Sequence, residues 1–307
     1  MILKGKKERK IIQHRFLDRW TIPGVILLVL GGFVAGQLIG SLVGAIFGII
    51  QGILTAVAER TGTSTSETTK ELFTIGTELG SVFAAFLLLA VYWRWFWPEY
   101  RGSLPLENKS YWLRFAGIAV VVVFVIQMAS FLIEKTEIGF PHFASLCAAL
   151  MAGCFEEAVY RGIGCSYLMR QWPDEKGILR TMLITSVIFA LVHAVNLLAG
   201  APLGITIVQI VNAMGLGMFL CAVFLRSGSL WPGIIIHTFF DAIAFMDTSS
   251  LTTNGTFKSD VTVSSAMDLV GFAFIIAAVA VALYMIRPSV RGEIVETWKK
   301  KWNPVSA

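Results

Sequence analysis

Charged side chains are scarce in the apolar stretches of this chain, and those with chemical potential fall into three short groups. The first is CFEEAVYRG, residues 154–162, which sets Glu156, Glu157 and Arg161 after the uncharged run PHFASLCAALMAG. The second is FALVHAVN, with Phe189 and His193, and the third is IIIHTFFDA, with His237 and Asp241. Residues four apart share a helical face, so Glu157 and Arg161, Phe189 and His193, and His237 and Asp241 are each paired, while Glu156 points about 100° away from Glu157. An ionised Asp, Lys or Arg at the centre of a bilayer costs about 2.5–3.5 kcal/mol on insertion scales, which makes such residues functional candidates by default. The remaining histidines, His14 and His142, lie in the basic N-terminal stretch and beside Pro141.

A carboxylate next to a histidine in a low-dielectric pocket can take a proton from water. A second histidine, backed by a carboxyl or amide one turn on, can donate to the oxyanion of a tetrahedral intermediate. No serine or cysteine stands beside these groups in a way that suggests a covalent acyl-enzyme. Direct hydrolysis of a peptide bond by activated water therefore fits best. Zinc is the other fit, because Glu156, His193 and His237 are zinc-ligand types, although HExxH spacing is absent.

EEAVYR, FALVH and HTFFD match the EExxxR, FxxxH and HxxxN/D motifs in order, on separate apolar segments. In this the chain resembles the CPBP family of CAAX-type prenyl endopeptidases and bacteriocin-processing (Abi) proteins, which are glutamic intramembrane proteases. The resemblance implies that Glu156 activates water together with His193. It implies that Glu157 and Arg161 hold the helix end and help to orient the site, and that His237 and Asp241 form the oxyanion region, with Phe189 at the remaining motif position. Well-studied members carry Asn where this chain has Asp241. An ionised Asp cannot donate a hydrogen bond, so Asp241 either is protonated or orients His237, and the orienting role is the expectation. No cofactor is implied, with zinc as the alternative. The segments before residue 138 carry no motif, and their likeness rests on topology alone.

The elements that must position these residues are membrane helices. The 307 residues are 56% hydrophobic and 15% charged, against about 25% charged in soluble domains. Apolar runs of about 20 residues give an all-α polytopic fold. Eight spans are expected, at 23–57, 72–97, 112–133, 141–161, 179–199, 203–225, 231–247 and 267–286. The first run is far longer than a signal-peptide core, so it reads as a retained anchor.

Only Arg60, Lys70, Lys135 and Lys258 of the 25 Lys and Arg residues then fall in outer loops. That asymmetry puts both termini in the cytoplasm. The reading is a single membrane domain over 1–307, with a basic N-terminal tail (1–20), catalytic core helices (141–247) and a basic C-terminal tail (287–307). It is a multi-pass integral membrane protein, of the plasma membrane in a prokaryotic host. The net charge of +5 comes from residues flanking spans and calls for no nucleic acid. The expected partners are a membrane-associated protein or peptide substrate and the bilayer itself. The four cysteines, without CxxC spacing, read as packing residues.

Glycines recur every fourth residue from Gly32 to Gly52, a ridge for close helix approach within the bundle or in a homodimer. Glu78, Asp247 and Asp268 fall toward span ends and read as wet, while Gln127 and Gln209 read as interhelical glue. With the fourth span ending at 161, Glu156 lies about five residues, or ~8 Å, from the cytoplasm. That depth predicts a site opening toward the cytoplasm. It leaves His193 about 14 residues, or ~20 Å, into its own span, a mismatch resolved only if that helix starts within PDEKGILR or tilts. The function expected is thus an intramembrane endopeptidase acting near the cytoplasmic face. A non-proteolytic scaffold or immunity protein of the same fold, and a proton-coupled transporter, are the alternatives. A transporter would show internal repeats, which the chain lacks.

Overall fold

The computed structural model describes residues 17, 19–106, 108–198, 200–247 and 265–302, without the side chains of 134 and 265–271. Among the described residues, besides the one-turn helix Glu67–Lys70, nine helices carry the fold: α1 (Thr21–Thr61), α2 (Leu72–Phe96), α3 (Lys109–Glu134), α4 (Phe143–Gln171), α5 (Glu175–Leu197), α6 (Leu203–Ser227), α7 (Trp231–Ala244), α8 (Ser265–Met285) and α9 (Pro288–Trp302). Among the described residues no strand occurs, only an isolated bridge between Ile138 and Asp247. The fold is all-α and polytopic, as a bilayer requires when backbone polar groups must be satisfied within each segment.

Each of the eight expected spans overlaps a helix, but the described residues give fewer full crossings than eight. Six helices are long and apolar enough to cross, and a seventh counts if the pair formed by Phe272–Met285 and α9, bent by 70°, is one span. Helix α7 has 14 residues, which at 1.5 Å each is ~21 Å against a hydrocarbon layer of about 30 Å. It starts inside the protein, where Ser229 and Leu230 are buried. Gly228, at φ 63°, makes the tight turn from α6 into this short helix, and Pro232 opens its first turn. Helix α1 is one continuous element of 41 residues. Its glycine ridge is occupied by the chain's own helices: Gly32 meets Val159 and Ile163, Gly36 meets Phe155, and Gly40 and Gly44 meet Ser81 and Thr77 of α2. Added Cβ atoms at Gly36, Gly40 and Gly44 would collide with these neighbours, whereas Gly32 is at ordinary contact distance and Gly52 faces open space, so the middle of the ridge serves packing within the bundle.

The fourth span runs ten residues past the expected end at 161. Arg161 stops no helix, because Glu157 Oε1 accepts its Nη1–H at 2.8 Å and the Gly217 carbonyl accepts its Nη2–H at 3.1 Å. Helix α5 begins at Glu175, with Asp174 as its cap accepting from the Gly177 amide at 2.6 Å. Glu156 therefore stands 15 residues from one end of α4, ~22 Å, and His193 stands 18 residues from the matching end of α5, ~27 Å. The depth mismatch disappears, and so does the placement of Glu156 close to the basic end of the bundle.

The C-terminal segment also departs from expectation, being a packed helix over 288–302. Trp298 Nε1–H donates to the Leu225 carbonyl at 3.1 Å and Trp302 Nε1–H to the Ser166 carbonyl at 3.0 Å. Tyr100 stacks on Trp302 with ring centroids 4.3 Å apart, and Trp97 is fully buried beside it. Apolar rings with one polar tip suit such an end layer, because the indole N–H groups satisfy carbonyls at helix ends.

Candidate active site

The segment Ala152–Cys165 of α4 is wound as a π-helix, a rare geometry often found at functional sites. It packs closely on α7 through Gly153, whose added Cβ would meet Thr238. Gly233 of α7 lies under the Glu157 carboxylate in the same way, an added Cβ falling 2.9 Å from Oε2. These glycines let two helices approach closely enough for Glu157 to reach His237.

Glu157, Arg161 and His237 are 1%, 1% and 3% exposed. The three form a clamp. Glu157 Oε1 lies 2.8 Å from Arg161 Nη1 and 3.0 Å from His237 Nδ1. With Nδ1–H donating to this carboxylate, Nε2 is the ring nitrogen presented to the site. Nε2 stands 3.7 Å from Glu156 Oε2 and 3.7 Å from Asp241 Oδ2. Both separations exceed a direct hydrogen bond and suit a bridging water or a substrate oxygen. The carboxylate hydrogen-bonded to His237 is thus Glu157, where Asp241 was expected in that role.

Phe189 joins the two histidines. Its ring meets His193 edge-on at 5.3 Å, His237 at 5.9 Å and Tyr160 at 5.0 Å, and the Arg161 guanidinium lies 4.7 Å over its face. His193, on the turn where α5 tightens to a 3-10 helix, has Nδ1 3.1 Å from the Phe189 carbonyl. Donation from Nδ1 leaves Nε2 as an acceptor. His193 stands within electrostatic reach of Asp241 and His237. Asn196, on the next turn, donates to Gln209 of α6 at 2.8 Å, so Gln209 does act as interhelical glue.

The structure therefore brings together Glu156, Glu157, Arg161, Phe189, His193, His237 and Asp241 from three helices. It adds Glu78, which the sequence reading takes as wet at a span end, and Tyr160, which that reading passes over. Glu78 of α2 stands within electrostatic reach of Glu156. Tyr160 is fully buried, its hydroxyl has no hydrogen-bond partner, and it too senses Glu156. The signal for Glu78 was present, as an ionisable residue inside an apolar run. Tyr160 gave none, since a tyrosine on a helix reads as packing.

Among the described residues no three of His, Cys, Asp and Glu are arranged to hold a metal ion, so Glu156, His193 and His237 do not form a ready zinc site. The four cysteines are free and buried, with Cys165 and Cys221 sulfurs 3.2 Å apart.

Comparison with known proteins gives one match. Residues 138–243 match the family model described as Type II CAAX prenyl endopeptidase Rce1-like. That range holds all three motif groups and begins at the strand-like contact of Ile138 with Asp247. Neither a curated protein nor a solved structure matches the chain. Over residues 138–243, from just before α4 to the last turn of α7, this multi-pass membrane protein matches the Rce1-like region of the CAAX prenyl protease, or CPBP, family.

Proposed function

We propose that the chain is an intramembrane endopeptidase that hydrolyses a peptide bond by direct attack of water, with Glu156 as the general base. The observation that carries this reading is the pair of 3.7 Å separations from His237 Nε2 to Glu156 and Asp241, with the ring held from behind by Glu157. A water between Glu156 and the imidazole gives its proton to the carboxylate as its oxygen attacks the scissile carbonyl. His193, with Nε2 free to accept, relays the proton to the leaving amine. His237, as the imidazolium with Nδ1–H on Glu157, donates its Nε2–H to the carbonyl oxygen as it becomes an oxyanion, Asp241 donates beside it as the neutral acid, and Arg161 balances the charge of Glu157 behind them. Atoms balance without a cofactor: water adds across the C–N bond, giving a carboxylate and an amine. The family match supports proteolysis in general; the roles of Glu156, Glu157, His237 and Asp241 rest on the distances, and that of His193 on its motif position.

The test compares membrane fractions from cells making the natural chain and Glu156→Gln. A protein terminus present only with the natural chain identifies the substrate, and its cleavage is then repeated with purified components. Equal cleavage by a folded Glu156→Gln chain would overturn the proposal.

A further inference from the structure

His193 owes its setting to a change of winding. Helix α5 is α-helical as far as Val192 and runs on as a 3-10 helix over His193–Leu197. His193 is the residue at which the backbone departs, with φ −64° and ψ −15°, against a ψ of about −42° in an α-helix. Its backbone N–H turns to the Ala190 carbonyl, three residues back, where an α-helix would send it to Phe189, four back. The Phe189 carbonyl is thereby left for the imidazole, with Nδ1 at 3.1 Å. The tighter turn thus selects the ring state in which Nδ1 carries the proton and Nε2 accepts.

Little else holds this turn. No residue of His193–Leu197 is fully buried, and Val195 is 54% exposed. A segment with so few buried contacts opens at low cost, and the hydrogen bonds of a 3-10 helix are poorer than those of an α-helix. Among the described residues, one side-chain hydrogen bond ties the turn to another helix: Asn196 Nδ2–H donates to Gln209 Oε1 of α6 at 2.8 Å. The spacing matters. At three residues per turn the side chains of i and i+3 eclipse, so Asn196 lies in line with His193, whereas in an α-helix it would stand about 60° off that line. Relaxing the turn to α winding therefore swings Asn196 away from Gln209 and returns the Phe189 carbonyl to the backbone. The anchor itself is firm. Two turns beyond Gln209, Gly217 of α6 lies against Phe189 and Ser186, and its carbonyl accepts from Arg161 at 3.1 Å.

We infer that Asn196 and Gln209 are positioning residues for His193: their hydrogen bond holds the 3-10 winding that frees the Phe189 carbonyl for Nδ1–H and keeps Nε2 as the accepting nitrogen. They act through His193 alone. On the reading of the site as a protease, the pair keeps Nε2 ready to relay the proton to the leaving amine.

Isotope-edited NMR of the imidazole nitrogens, on histidine-labelled chain in detergent, tests this without turnover, with His193→Gln assigning the signal. The natural chain should show neutral His193 with its proton on Nδ1. Gln209→Met and Asn196→Leu roughly keep side-chain size and remove the bond. Each should move that proton to Nε2 in a large share of molecules, with the His237 signals unmoved. On a cleaved substrate both variants should lower kcat on the order of 10²-fold, the scale of a small misplacement of a catalytic group, with KM little changed. A natural chain with the His193 proton on Nε2, or a tautomer unmoved in the folded variants, overturns the inference. So does an unchanged kcat in a variant whose tautomer has moved. Tautomers that behave as expected in a chain that cleaves nothing would sink the protease reading and leave the positioning in place. Cleavage that Glu156→Gln abolishes and Gln209→Met leaves intact would do the reverse.

Discussion

Glu157 Oε1 and His237 Nδ1 lie 3.0 Å apart, 80 residues apart in the chain, and the same oxygen accepts from Arg161 at 2.8 Å. One buried carboxylate therefore fixes the orientation of a histidine and neutralises an arginine within the bundle. Removing it should damage stability and chemistry together, and the two effects can be separated.

Glu157→Ala leaves Arg161 buried without its counter-charge. We expect a loss of about 3–5 kcal/mol, the usual cost of breaking a buried pair from one side. Denaturation in detergent measures it. The double variant Glu157→Leu with Arg161→Met removes both charges and should recover most of that loss. Cleavage should stay lost in the double variant, because His237 Nδ1 no longer has an acceptor. Restored cleavage would show that the clamp is only structural.

Glu156→Gln should behave differently. Its side chain is 20% exposed and makes no contact with His237 shorter than 3.7 Å, so the fold should hold. The value of kcat should fall on the order of 10²–10⁴-fold, as for a missing general base, with KM little changed. Single-turnover assays on a defined substrate give both constants.

Asp241→Asn probes the position where this chain departs from the Asn form of the motif. Since Glu157 already holds His237, Asn can occupy the same place and offer an N–H to the oxyanion. Activity should stay within about tenfold, while Asp241→Ala should lose on the order of 10²-fold, the scale of one oxyanion donor. Equal, large losses in Asn and Ala would instead assign the negative charge of Asp241 an essential part.

Exhaustive chelation should leave turnover unchanged. His193 Nδ1 is engaged by the Phe189 carbonyl and His237 Nδ1 by Glu157, and the donors do not converge as a metal site. Loss of activity on chelation, restored by stoichiometric zinc, would replace the glutamate mechanism with a metal-assisted one.

Trp298→Ala tests the packed end layer. The indole is fully buried, packs edge-on against Phe224 at 5.2 Å and donates to Leu225. Its truncation should cost about 3–5 kcal/mol, read as a lower unfolding midpoint.

The sequence by itself determined which residues could react and which segments are helical. Charges inside apolar runs are costly enough that each of EEAVYR, FALVH and HTFFD had to serve a purpose, and hydropathy located every helix that carries them. It also identified Gln209 as glue and the basic end of the bundle, since both follow from composition along one chain. Only the tertiary structure decided what those residues touch. A scan of the sequence ends the fourth span at Arg161, because a lone charge belongs at a membrane surface. Glu157 and the Gly217 carbonyl cancel that cost, so α4 continues to Gln171 and Glu156 moves deep into the bundle. The exchange of partners on His237, Glu157 for Asp241, depends on how closely α4 and α7 approach at Gly153 and Gly233. Local spacing cannot report this, because i, i+4 neighbours share a face whether or not a residue from another helix takes the hydrogen bond first. The packed helix α9 is likewise hidden from composition: its lysines read as a solvated tail, and its tryptophans gain their meaning from carbonyls that α4 and α6 leave free at their ends.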